Sequence, residues 1–150
     1  MIVEIVLVSV FALASVIAKI ATGDWHLIFS GNLGMFGMLC FTAIGHFMFT
    51  KGMTMMMPEF IPLKKEFVYL TGIAEVLLGL ALLFPAFRYT AGIILIILFV
   101  LMLPANIHGA IRHVDLQKAN YEGKGLGYLW FRIPLQLFFI GWVWFFSIRN

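Results

Sequence analysis

Charge is what this sequence has least of. Ten Lys and Arg and seven Asp and Glu make up 11% of its 150 residues, while 63% are hydrophobic. An average globular protein is about 25% charged. A soluble domain of this length could not hide so much apolar side chain, because its surface-to-volume ratio is too high. Most of the surrounding solvent must therefore be lipid. Cysteine is nearly missing too: Cys40 stands alone, which excludes an intramolecular disulfide and a CxxC exchange pair. Within an apolar run, it reads as a small buried hydrophobe. No basic run interleaved with aromatics suggests nucleic acid as a partner. HExxH, GxSxG and GxxxxGK[ST] are all absent, so nothing fixes a nucleophile, a zinc site or a phosphate loop. The Met53, Met55, Met56 and Met57 cluster offers soft sulfur, but no second His or Cys joins His46 beside it, and no metal is expected.

What is present is a series of apolar runs. A membrane helix needs about 20 mostly apolar residues. Five stretches reach or approach that length: 2–21, 32–50, 66–84, 88–107 and 127–148. The expected fold is an all-α membrane protein forming one transmembrane domain. The first stretch lacks a basic n-region and carries Glu4 instead, so it is expected to remain in the mature protein, either spanning the bilayer or lying on it. Gly31, Gly34, Gly37 and Gly45 suit the second helix to close contacts in lipid, or simply make it flexible. Pro85 marks a tight turn, which makes the third and fourth helices an antiparallel hairpin. Pro134 should kink the last helix or reset its start. Ile107, Ala110, Ile111 and Val114 recur at helical spacing and extend the fourth helix beyond the bilayer.

Five spans put the N-terminus and the 51–65 and 106–127 loops on one side. That side holds Lys51, Lys64, Lys65, Arg112, Lys118, Lys124 and Arg132; the other holds Lys19, Arg88 and Arg149. The imbalance assigns the two loops to the cytoplasm.

The polar residues within the runs carry the functional question. Glu75 lies near the middle of its helix. His46 lies about one turn from the cytoplasmic end of the second helix, and Asn106 lies at the same end of the fourth. Arg132 and Gln136, spaced i and i+4, share a face at the start of the fifth. Depth alone thus groups His46, Glu75, Asn106, Arg132 and Gln136 in the cytoplasmic half of the bundle, a candidate ligand pocket with Glu75 at its floor. Arg132 and His46 are the candidate partners of Glu75. A charge at the bilayer centre costs roughly 2.5–3.5 kcal/mol, so the acid should face inward or be protonated. The alternative is structural: inward polar groups in membrane bundles also join helices by hydrogen bonds. Asn106 could cap a helix end, and Arg132 could snorkel to headgroups.

"GHF" (45–47), "MMPEFIP" (56–62), "VYLTGIAEVLLGLALLFPAFRYTAG" (68–92), "LPANIHGA" (103–110) and "RIPLQ" (132–136) resemble, in order and spacing, the DoxX family of small membrane proteins. The resemblance covers about residues 32–148. It implies a four-helix transmembrane bundle, here with an additional N-terminal helix at 2–21. The family's polar positions fall on His46, Glu75, Asn106, Arg132 and Gln136. It further implies a bacterial inner-membrane location and a link to quinone chemistry as an accessory subunit of an oxidoreductase, and it leaves open whether the chain catalyses anything on its own. On that reading, carbonyl oxygens of a quinone would accept hydrogen bonds from Arg132, His46 or Gln136, while Glu75 holds or passes a proton. The expected partners are the lipid bilayer and either another protein or a second copy of the chain. The rival reading is a non-catalytic assembly factor or scaffold.

Overall fold

The computed structural model describes residues 2–150, and no strand occurs among them beyond one isolated bridge between Asp115 and Asn120. Six α-helices follow one another: α1 (Ile2–Thr22), α2 (Leu27–Met48), α3 (Thr50–Met56), α4 (Lys64–Leu82), α5 (Pro85–Ile111) and α6 (Leu129–Val143). A 3-10 turn, Gly125–Tyr128, leads into α6, and a π-helical turn, Trp144–Ile148, ends it. Four segments are long and apolar enough to cross a membrane: α1, α2, α5 and the continuous Gly125–Ile148 run.

The fifth long helix, α4, differs in composition. Lys64, Lys65 and Glu66 crowd its first turn and Glu75 lies inside it. It nonetheless lies in the bundle, packed chiefly on α2 and α5. Its contacts descend α2 as they ascend α4: Gly72 meets His46, Glu75 meets Thr42 and Gly79 meets Leu39, so the two helices are antiparallel. Its nineteen residues reach about 28 Å at 1.5 Å per residue, close to the thickness of the hydrocarbon layer. The turn into α5 is as tight as Pro85 predicts, with that proline in the first turn of α5.

Leu7, Leu39, Leu82, Leu95, Phe139 and Val143 form a buried centre, whereas Leu13 and Ile17 of α1, Leu70 and Leu77 of α4, Leu101 of α5 and Leu137 of α6 are exposed. Large aliphatic side chains face outward on every long helix. In water that arrangement would be an aggregation surface; in hydrocarbon it is the solvated face. The N-terminal helix is an integral part of this packing. Leu7 is fully buried, and a Cβ on Gly34 would lie 2.9 Å from the Leu7 carbonyl oxygen and 3.1 Å from the Phe11 Cβ. Gly34 therefore lets α1 and α2 pack backbone to backbone, as small residues do in lipid. Gly45 meets nothing closer than 3.9 Å and plays no such part.

Several boundaries depart from the sequence expectation. Helix α2 starts at Leu27 rather than at residue 32, because Leu27, Ile28 and Phe29 continue its apolar surface. The chain turns between α1 and α2 through Gly23 and His26, both at positive φ. The 51–65 loop contains α3, which packs against α4 and α5. Helix α5 extends past residue 107 as expected but ends at Ile111, with Arg112 as its cap. His113 follows at φ 55°, so Val114 lies outside the helix. The loop after α5 folds back on α3: a Cβ on Gly52 would collide with the Leu116 carbonyl oxygen. Segments 49–63 and 112–124 thus form one polar cap over one end of the bundle.

Candidate functional site

The five polar residues grouped by depth separate into two seams and one isolated cation. The first seam joins α2 to α4. Gly72 and Gly79 sit one turn to either side of Glu75. A Cβ on Gly72 would lie 2.9 Å from the His46 Cβ, and one on Gly79 would lie 3.0 Å from side-chain atoms of Leu39 and Phe36. These two absent side chains bring the helices together and bury Glu75 to 2% exposure. The carboxylate is then enclosed by α2. The Thr42 hydroxyl lies 2.9 Å from Oε2, and His46 Nε2 lies 3.4 Å from Oε1. The second distance is long for a hydrogen bond and describes a contact between partners rather than a tight bond.

Hydrogen-bond chemistry constrains the protons here. His46 Nδ1 lies 3.0 Å from the Val68 carbonyl oxygen. A carbonyl only accepts, so Nδ1 carries a hydrogen. One further proton then decides the state of the pair: it is either on Nε2, giving an imidazolium beside a carboxylate, or on Glu75, giving two neutral groups. The Thr42 hydroxyl suits both cases. It donates to Glu75 Oε2 in either case, which leaves Oε1 to face His46 Nε2, the acceptor of the Glu75 proton in the neutral arrangement. The neutral arrangement avoids placing charge in hydrocarbon, and the ionised one gains a paired charge. Of the two candidate partners of Glu75, His46 is the one the fold supplies.

The second seam joins α5 to α6 and contains no titratable group. Asn106 Nδ2 donates to Gln136 Oε1 at 3.2 Å, and Gln136 Nε2 donates to the Phe99 carbonyl in a short contact. Pro104 supplies no N–H to the helical ladder, which leaves the Val100 carbonyl, four residues earlier, without its ladder donor. Gln136 reaches from α6 to the neighbouring Phe99 carbonyl. Asn106 therefore bridges helices instead of capping one, since α5 runs on to Ile111.

Arg132 joins neither seam. Its Nε is buried with no hydrogen-bond partner, and its charge acts on Glu4 of α1. Among the described residues, no hydrogen bond or ion pair links Arg132 to Glu75. Glu4 lines an open groove of about 640 Å³ between α1 and α6, walled mainly by Ile5, Val8, Phe131, Pro134 and Phe138. A second cavity, of about 270 Å³, lies in the polar cap. None of His46, Glu75, Asn106, Arg132 and Gln136 lines either one.

Two participants escaped the sequence reading. Thr42 lies one turn before His46 on α2, and its i, i+4 spacing marked it as sharing that face. Asn32 anchors the opposite end of the bundle. It donates to the Phe146 carbonyl at 3.0 Å and accepts from Ser147 Oγ at 2.5 Å, while Trp142 Nε1 donates to the Gly31 carbonyl at 2.9 Å. This clamp falls on the π-helical turn, where the α-helical bonding pattern is interrupted. An amide inside an apolar helix was the available signal. No group of three or more His, Cys, Asp or Glu among the described residues could hold a metal ion.

The sequence model of one protein family, a domain of unknown function designated DUF8561, matches residues 35–147. The chain belongs to that family. The match begins within α2 and ends within the final π-helical turn, so it takes in both seams and leaves out α1. No curated protein and no solved structure matches the chain.

Proposed function

We propose that this DUF8561 protein is a non-catalytic scaffold or assembly component of a membrane, with polar side chains that lock its helices in register. The observation carrying this reading is that His46 pairs with Glu75 and Asn106 with Gln136 across seams, and that none of these four lines either cavity. In lipid such bonds replace the hydrophobic effect as the specific force between helices. The lysine and arginine bias of the two connecting loops supports a cytoplasmic position for them. The expected location is a bacterial inner membrane, and the partner is another protein or a second copy of the chain. The glycines that bring α2 and α4 together are already occupied within the chain, so that partner would meet the outer aliphatic faces.

A second reading keeps the resemblance to DoxX proteins and has its own support. Arg132 retains a buried donor without an acceptor, and the His46–Glu75 pair has two proton arrangements. A lipophilic acceptor such as a quinone would draw on the titratable pair, the protein then serving as an accessory subunit. Glu75→Gln separates the readings. It preserves shape and hydrogen-bonding capacity while removing the titratable group. The scaffold reading expects the variant to match wild type both in its native-membrane assembly and in response to quinone analogues. If quinone analogues raise the unfolding temperature of purified wild type but not of Glu75→Gln, the scaffold reading gives way to the ligand reading.

A further inference from the structure

The smaller cavity lies where membrane helices meet water. Lys64 opens α4, Arg112 follows the last residue of α5, and both line it together with Glu59, Met57 and Tyr121. Phe60 and Leu63, in the same connection as Glu59, are 84% and 73% exposed. Apolar side chains so open, beside the ends of two membrane helices, belong among acyl chains, which places the cavity at headgroup level.

Its charges are arranged around one anionic position. Arg112 Nη1 lies 2.9 Å from the Glu59 carboxylate, and the guanidinium rests against the Tyr121 ring with 5.6 Å to the centroid. Lys64 Nζ reaches only the Met57 carbonyl, at 3.4 Å, and so has donors to spare. The charges of Arg112 and Lys64 both bear on the Glu59 carboxyl, and Arg112 holds it below its usual range. Glu59 itself projects into solvent, its side chain 80% exposed. An exposed pair of this kind is weak. A phosphate group offers the guanidinium fork two oxygens and keeps a third for an ammonium, which a carboxylate on this turn does not do.

We propose that this cavity binds the phosphate of an anionic lipid headgroup, which displaces Glu59 from Arg112 and takes Lys64 as its second cation. The Glu59 carboxylate marks the anion's place and competes for it. A zwitterionic headgroup fits less well, because its own ammonium would meet Lys64 and Arg112.

The test uses the full chain in phosphatidylcholine nanodiscs, titrated with short-chain phosphatidylglycerol, short-chain phosphatidylcholine or inorganic phosphate while thermal unfolding is followed. Phosphatidylglycerol should raise the unfolding midpoint saturably, and phosphatidylcholine should not. Arg112→Gln and Lys64→Gln should each weaken apparent binding about tenfold, the loss of roughly one charge-assisted contact. Glu59→Gln should tighten it several-fold, which a merely structural ion pair would not do. An equal response to phosphatidylcholine, no saturable response, or weaker binding in Glu59→Gln would overturn the proposal. Inorganic phosphate acting as strongly as the lipid would overturn its lipid part. Should Arg112→Gln fail to fold, the opposite signs expected for Lys64→Gln and Glu59→Gln still decide the matter.

Discussion

The two polar seams solve one problem with different chemistry. Both place hydrogen-bonding side chains inside a bundle whose outer surface is aliphatic. Between α5 and α6 the groups are amides: Asn106 and Gln136 pair with each other and with the Phe99 carbonyl. Between α2 and α4 they are an acid, an imidazole and a hydroxyl, and the arrangement leaves one proton with two possible positions. The amide seam has one state at any pH and can only hold. The His46–Glu75 seam can hold and can also exchange a proton, and it lies where Gly72 and Gly79 let α2 and α4 approach closely. A protein that needed only adhesion could have used amides twice, so perturbing the titratable seam is the sharpest way to learn whether its extra state is used.

The largest effect is expected from removing one member of that pair. Glu75→Ala leaves His46 buried with only the Val68 and Thr71 contacts and opens a void beside Thr42. Loss of one partner of a buried pair costs about 3–5 kcal/mol in soluble proteins, and the ability of His46 to become neutral moves the expectation toward the lower figure. Reversible unfolding in mixed micelles should show Glu75→Ala far less stable than Glu75→Gln. Equal stabilities would mean that His46 and Thr42 contribute little across this seam.

Next comes the approach itself. Gly72→Val places branched carbons against His46, whose Cβ already lies 2.9 Å from the position of an added Cβ. Overpacking of this kind costs about 1–3 kcal/mol. Gly45→Val, on α2 with no comparable neighbour, is the matched control and should behave like wild type. The amide seam should respond less than Glu75→Ala or Gly72→Val. For Gln136→Ala the expected loss is about 0.6 kcal/mol and no more than about 1.7 kcal/mol, the mean and upper value for interhelical hydrogen bonds in lipid. A larger loss there than for Glu75→Ala would reverse the comparison and make the α5–α6 seam the principal lock.

What could be read from the sequence divides along the same physical lines. Helices α1 and α5 were plain because hydropathy over twenty residues integrates a strong signal. Pro85 marked the hairpin because its ring dictates local backbone. His46 and Glu75 were brought together by depth, which is a one-dimensional quantity and survives without knowledge of rotation. Depth could not show that Arg132 faces α1 and Glu4, because that depends on which way α6 is turned and on where α1 docks. Nor could it show that Asn106 turns toward Gln136 and away from Glu75, so five residues in the same half of the membrane read as one pocket. Helix α3 was missed for another reason. Seven residues carry too little periodicity to be distinguished from loop, and contacts with α4, α5 and Leu116 hold this helix in place.

The smallest effect is expected outside the membrane, at the third ionic feature, the Arg112–Glu59 pair. Arg112 lowers the Glu59 pKa from its usual value of 4.5. A carboxyl with a depressed folded-state pKa stabilises the fold above its unfolded value, and that contribution disappears as pH falls through the folded value. Wild type should therefore be slightly more stable than Glu59→Gln near neutral pH when no anionic lipid is present, and the two should converge as pH falls below the usual value and through the lowered folded one. The pair is exposed, so added salt should erase the difference as well. The His46–Glu75 seam, being buried, should keep its contribution under the same salt. Equal salt sensitivity in the two regions would mean that water reaches Glu75, and the distinction between a sealed titratable seam and an open ionic surface would fail.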